Sequence, residues 1–274
     1  MQHACRPQTD APDVDYRWLA VGVSMLWSLA NIDYVHAQNR PTAAVEVVAQ
    51  APGKVVHAQP VGQAPAIDGD VLGDPAWASV TPISGFVQNA PNEGQPATEQ
   101  TEVRVVFTDD TVYFGIVCYD RDPSAIIVSD SRRDSSMNNA DSFQMVLDTF
   151  SDQQNGFVFG TTPASQEYDG QVMNEGGALR SYAGAGRGGF SRGSGGGFNL
   201  NWDGAWQVRT AVSDLGWSAE FAIPFSTIRY PDREVQAWGV NFQRNIRRRN
   251  ETVFWAPLPR QYNLYRVSRA GQLT

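Results

Sequence analysis

Hydrophobic positions in this chain recur with a period of two far more often than with a helical period. The stretch TEVRVVFTDDTVYFGIVCYD, residues 101–120, sets the pattern. Residues 103–107 are β-rich, Asp109-Asp110 makes a turn, and residues 112–119 form a second strand. In the second strand Val112, Phe114, Ile116 and Cys118 share one face, and Tyr113, Val117 and Tyr119 share the other. A strand that is apolar on both faces belongs in the middle of a sheet covered on both sides. This hairpin is the expected spine of a sandwich.

The same alternation continues downstream. Residues 141–147 set Phe143, Met145 and Leu147 against Ser142, Gln144 and Val146, which reads as a half-buried strand. A turn at 148–156 leads to a strand over 157–161. Strands follow at 206–212 and 216–223, the latter with Glu220 outward. The last long strand, 238–246, points Trp238, Val240 and Phe242 one way and Asn241, Gln243 and Asn245 the other.

Before the hairpin, residues 54–58 suggest an edge strand, Ile67 ends a strand, and Asp68-Gly69 makes a tight turn. Asp74-Pro75-Ala76-Trp77 starts a helical turn with Asp as N-cap, and Trp77 is a core anchor. Residues 86–98 read as an irregular loop, and 120–139 as a solvated loop or edge. Short strands at 8–12-residue spacing with almost no long helix predict an all-β, antiparallel β-sandwich with a few short helical turns.

The chain has 274 residues, 42% of them hydrophobic, so it can build a sizeable core. Its net charge of −8 argues against nucleic acid as a partner. Arg17 followed by the apolar run 18–30, with Val35-His36-Ala37 behind it, reads as an export signal over residues 1–37. Residues 38–54 then form a linker, and 55–274 the folded module. Removing the signal leaves Cys118 as the sole cysteine and His57 as the sole histidine. No disulfide, multi-histidine zinc site or phosphate loop fits that inventory, and a Ser-His-Asp triad would have to use His57. The glycine-rich stretch 176–197 reads as a mobile loop.

The segments IDGDVLGDPAW, VRVVFTDDTVYFGIVCYDRDP, DSFQMVLDTFSD, WDGAWQVRTAV, GWSAEFAIPFSTIRY and WGVNFQRNIRRRNE, in this order, resemble the family 9 carbohydrate-binding modules. The resemblance is to the version at the N-terminus of exported bacterial proteins that continue into a C-terminal domain of unknown function, thought to be an outer-membrane β-barrel. It implies a jelly-roll or DOMON-like sandwich, a plant-type oligo- or polysaccharide as ligand, links to glycoside hydrolases and carbohydrate catabolism, structural calcium, and a place in the periplasm or at the outer membrane.

Sugar recognition needs flat apolar faces for C–H patches and planar polar groups for hydroxyls. Trp202, Trp206 and Tyr168, which flank the glycine-rich loop, and Asn241, Gln243, Asn245 and Arg244 are the candidates, with Trp255 undecided. Trp206 also reads as core from its strand alternation. Asp148, Asp152 and Asn155 cluster oxygen donors at one turn, as calcium requires, although Asx-turn chemistry explains the same residues. Arg247 to Arg249 reads as a solvated strand end, open to anionic lipid or a partner. Two other functions compete with sugar binding: a structural accessory domain of a membrane barrel, and a glycoside hydrolase using two carboxylates.

Overall fold

The computed structural model describes residues 53–128, 132–180 and 197–274. The expected export signal, most of the linker and most of the glycine-rich stretch lie outside the described residues. Among these, fourteen strands form two sheets.

The larger sheet contains β1 (Val55–Val56), β3 (Val87–Ala90), β6 (Ser142–Asp148), β7 (Gly156–Thr161), β8 (Tyr168–Val172), β9 (Phe198–Asn199), β12 (Trp238–Ile246), β13 (Glu251–Phe254) and β14 (Gly271–Leu273). Its order is β1-β14-β12-β6-β7-β8-β9, with β13 pairing β12 and β3. The smaller sheet contains β2 (Gln59–Pro60), β4 (Thr101–Phe107), β5 (Thr111–Tyr119), β10 (Gln207–Ser213) and β11 (Gly216–Pro224), in the order β10-β11-β5-β4-β2.

The central hairpin stands as its pattern predicts. β5 lies between β4 and β11 and is buried on both faces. Its Val112, Phe114, Ile116 and Cys118 meet Phe143, Met145, Leu147, Val240 and Phe242 of the larger sheet in the main core. Burial pushes the Cys118 thiol up to about 12. The opposite face carries Tyr113 and Val117, which pack with Val71, Trp77 and Val80. The helical turn α1 (Pro75–Ala78) supplies Trp77, and the Asp74 carboxylate caps it by accepting from Ala76 N at 2.8 Å. Gly115 lets the indole lie on the strand: a Cβ there would stand 3.0 Å from the Trp77 ring.

Several expectations need correction. First, the sheets are mixed: β1 pairs β14, and β2 pairs β4, in parallel, because the N-terminal segment runs along both sheet edges. Ile67 ends no strand and packs beneath the smaller sheet instead. Second, part of the loop expected at 86–98 is β3, paired to β13. Third, β6 is buried on both faces, because Phe254, Leu258, Leu264 and Val267 cover its outer side at Val146. Fourth, Glu220 points outward from its sheet but is fully buried, roofed by the segment carrying Asp68, Gly69 and Trp77.

The Arg247 to Arg249 strand end is likewise not merely solvated. Arg248 and Arg249 reach the buried Glu99 carboxylate at 3.1 and 3.2 Å, and Arg248 also holds Asp120. Arg121 adds a further contact to Glu99 at 3.2 Å. Taking two carboxylates out of water requires such counter-charges.

Candidate functional site

A cleft of about 400 Å³ opens at one end of the sandwich. Its floor comes from the start of β7 and the end of β8, where Phe157 pairs with Gln171 in the ladder. One wall is the β6–β7 turn, with Thr149, Phe150, Asp152 and Asn155; the other is Arg229, beyond β11. Val172 and Met173 complete the apolar lining.

Local bonding fixes these walls. Thr149 Oγ1 donates to the Arg229 carbonyl, and Ser151 Oγ to the Ala237 carbonyl, tying the turn to the 229–237 segment. Asp148 accepts from Asp152 N at 3.2 Å and Gln153 N at 2.8 Å. Asp152 accepts from Gln154 N and Asn155 N at 2.8 Å, and from Asn155 Nδ2 at 2.7 Å. Burial alone would raise the Asp152 carboxyl, but the Asn155 carboxamide and the two backbone N–H groups outweigh it and hold it below its ordinary value. At Asp148 burial wins and its carboxyl is raised.

The three expected calcium donors therefore stand together, but as a turn that already uses both oxygens of each carboxylate. Asn155 Oδ1 accepts from Asn174 N at 3.4 Å as well. Among the described residues no group of three or more His, Cys, Asp or Glu is gathered as a metal would need.

Exposed aromatic surface concentrates at this end. Phe150 keeps 48% of its surface in water and Tyr230, next to Arg229, keeps 37%. Tyr230 leans on Phe225 and Trp238, with centroids 5.8 Å away in both cases. Trp202 stands behind the cleft floor. Its ring lies 5.0 Å from that of Phe157 and 5.8 Å from that of Phe159, and it is half-buried. The loop that carries it is anchored by Asp169, a buried carboxylate that accepts from Gly204 N at 2.7 Å and pairs with Arg133 at 2.8 Å. Arg133 also holds Asp203 and Glu167.

Other sequence candidates fall elsewhere. Trp206 is only 6% exposed, stacked on Phe221 at 5.7 Å, and Trp255 is 2% exposed against Phe242; both are core and have no free face for a ligand. Asn241 is spent on Ala256 and Phe242: Nδ2 donates to the Ala256 carbonyl at 2.9 Å, and Oδ1 accepts both backbone N–H groups. Arg244 points into the sandwich, fully buried, and donates to the carbonyls of Gln100 and Tyr119 at 2.9 Å.

Tyr168 and Gln243 share a row across the outer face of the larger sheet, through Gly160 and Gln144. Tyr168 is held there in a stack with Phe198, which in turn stacks on Tyr265 at 4.5 Å. Gln243 Nε2 donates to Asn245 Oδ1 at 3.1 Å. The structure thus separates this row from Trp202, which packs on Phe157, while the cleft itself gathers Phe150, Gln171 and Arg229. Sequence reasoning missed those three; only Phe150 carried a signal, its place inside the 148–156 turn.

No protein-family model matches the chain, and no curated protein is similar to it in sequence. Solved structures share its architecture. A Bacteroides uniformis protein put forward as carbohydrate-binding aligns with a TM-score of 0.58 and 12% identity, over 81% of this chain and 98% of that one. A family 9 carbohydrate-binding module from Caldicellulosiruptor kristjanssonii, solved with cellotriose, aligns with a TM-score of 0.52 and 17% identity, over 81% of this chain and 93% of that one. At these identities the likeness is one of fold. The chain shares its β-sandwich fold with a family 9 carbohydrate-binding module.

Proposed function

We propose that this chain is a non-catalytic carbohydrate-binding module that holds a short segment or end of a plant-type glucan or xylan in the cleft beside Trp202. The observation that carries this reading is the cleft's composition. Exposed Phe150 and Met173 offer apolar area for sugar C–H faces, and Gln171 and Arg229 offer planar donors for hydroxyls. The fold shared with carbohydrate-binding modules supports it. Export, expected from the apolar run at 18–30, places such a module in the periplasm or at the outer membrane, where a following barrel and carbohydrate catabolism would make use of it.

A glycoside hydrolase needs two carboxylates flanking the scissile bond. Among the residues lining the cleft only Asp152 is acidic, and both of its oxygens already accept N–H groups.

The test is a titration of the protein with cello- and xylo-oligosaccharides, followed by tryptophan fluorescence with and without EDTA. A saturable change supports binding, and sensitivity to EDTA adds the structural calcium that the family resemblance implies. A flat titration across plant and bacterial glycans sinks the reading in favour of an accessory domain. Release of reducing sugar overturns it in favour of an enzyme.

A further inference from the structure

Arginines of this fold are mostly spoken for. Arg104, Arg121, Arg133, Arg244, Arg248, Arg249 and Arg266 each hold a carboxylate within 4.0 Å. Arg209, Arg247 and Arg260 donate to carbonyl oxygens. Arg229, like Arg233 and Arg269, has no guanidinium partner among the described residues, but of the three it is the one that lines the cleft, its backbone carbonyl pinned by Thr149.

The other charge in the cleft, Asp152, is turned into its own loop and surrounded by three N–H donors. The charge left free to meet a ligand is therefore a single cation. Beside it stand the unpartnered Gln171 carboxamide and the apolar surfaces of Phe150 and Met173. A guanidinium matches a carboxylate bidentately, and such charge-assisted bonds are about twice as strong as neutral ones. At physiological salt the net negative charge of the rest of the chain is screened beyond about 8 Å, so the local cation decides.

We infer that the cleft prefers an acidic glycan, with Arg229 pairing the carboxylate of a uronic-acid residue while the aromatic surfaces take its neighbours. This rests on the carbohydrate-binding reading and adds a substrate class to it. Neutral sugars bind the same apolar surfaces without that pair.

Isothermal titration of the full chain with a glucuronic-acid-substituted xylo-oligosaccharide, and with the unsubstituted one of the same length, tests this. The substituted sugar should bind about tenfold tighter, as one charge-assisted contact implies. That ratio should shrink with added salt, fall to about one in Arg229→Gln and be partly kept in Arg229→Lys. Oligogalacturonate should show the same dependence on Arg229. Equal affinities in the parent protein, or a ratio that survives Arg229→Gln, overturn the inference and leave the carbohydrate reading standing. If neither sugar binds the parent protein, both fall together.

Discussion

The indole N–H of Trp77 donates to Oε1 of Glu220 at 2.7 Å. The other carboxylate oxygen, Oε2, accepts from Asp68 N at 3.0 Å and Gly69 N at 2.7 Å. One buried side chain thus binds the N-terminal segment to the outside of the smaller sheet. Glu220→Gln keeps an acceptor for one of these sides only, because its Nε2 is itself a donor. The substitution should lower the free energy of unfolding by about 1–3 kcal/mol, read from urea denaturation.

The same carboxyl has a pH signature. Burial raises it above the ordinary glutamate range, against the lowering effect of its three hydrogen bonds. The folded protein therefore keeps the proton to a higher pH than the unfolded chain does. Its contribution is present below the unfolded value of about 4.3 and is lost as pH rises through the raised folded value. Asp141 and Asp148, raised by burial too, act in the same direction. Stability measured across that range should decline less steeply in Glu220→Gln than in the parent.

Phe150 and Trp202 separate binding from folding. Phe150 projects from a turn, and Phe150→Ala should leave stability within about 0.5 kcal/mol. It should weaken oligosaccharide binding by about tenfold, the worth of one aromatic contact. Trp202→Ala removes the packing on Phe157 and Phe159 as well, so affinity and thermal stability should fall together. Calorimetric titration and thermal melts of both variants distinguish the two effects.

Asp169 positions the Trp202 loop without lining the cleft. Asp169→Ala leaves Gly204 N and the Arg133 guanidinium without their shared acceptor. We expect a loss of about 1–3 kcal/mol and a red-shifted Trp202 emission, measured against a Trp202→Phe background to assign the signal. Unchanged emission would show that the loop holds itself.

Gly115→Ala tests the contact between β5 and α1. The added methyl meets the indole of Trp77 at 3.0 Å, and a ring between two packed layers has no room to retreat. Overpacking of this kind costs about 1–3 kcal/mol, again read from urea denaturation.

Strand alternation carried most of the architecture in plain view. The central hairpin, the strands around Phe143, Phe159, Val208 and Phe221, and the Asp74-Pro75 helix start follow from period-two burial and capping chemistry. What alternation cannot report is what lies over a strand's outer face. Glu220 and Val146 read as outward from their own strands, yet segments distant in sequence cover both. Arg244 reads as a candidate for sugar hydroxyls because of its type, and the carbonyls of Gln100 and Tyr119 account for its burial instead. The cleft was the least visible part. Phe150, Gln171 and Arg229 come from three separate stretches, and their positions in periodic patterns do not mark them as neighbours.

The parallel pairing of β1 with β14 sets how the folded unit carries a load. Ala58 N donates to the Thr274 carbonyl at 2.8 Å, and Thr274 N to the Val56 carbonyl at 3.0 Å, so the first and last described segments are laced side by side. Tension applied between residues 53 and 274 runs along that seam and not across it. The hydrogen bonds then resist in shear, all at once, where an antiparallel pair pulled from its open end would unzip one bond at a time.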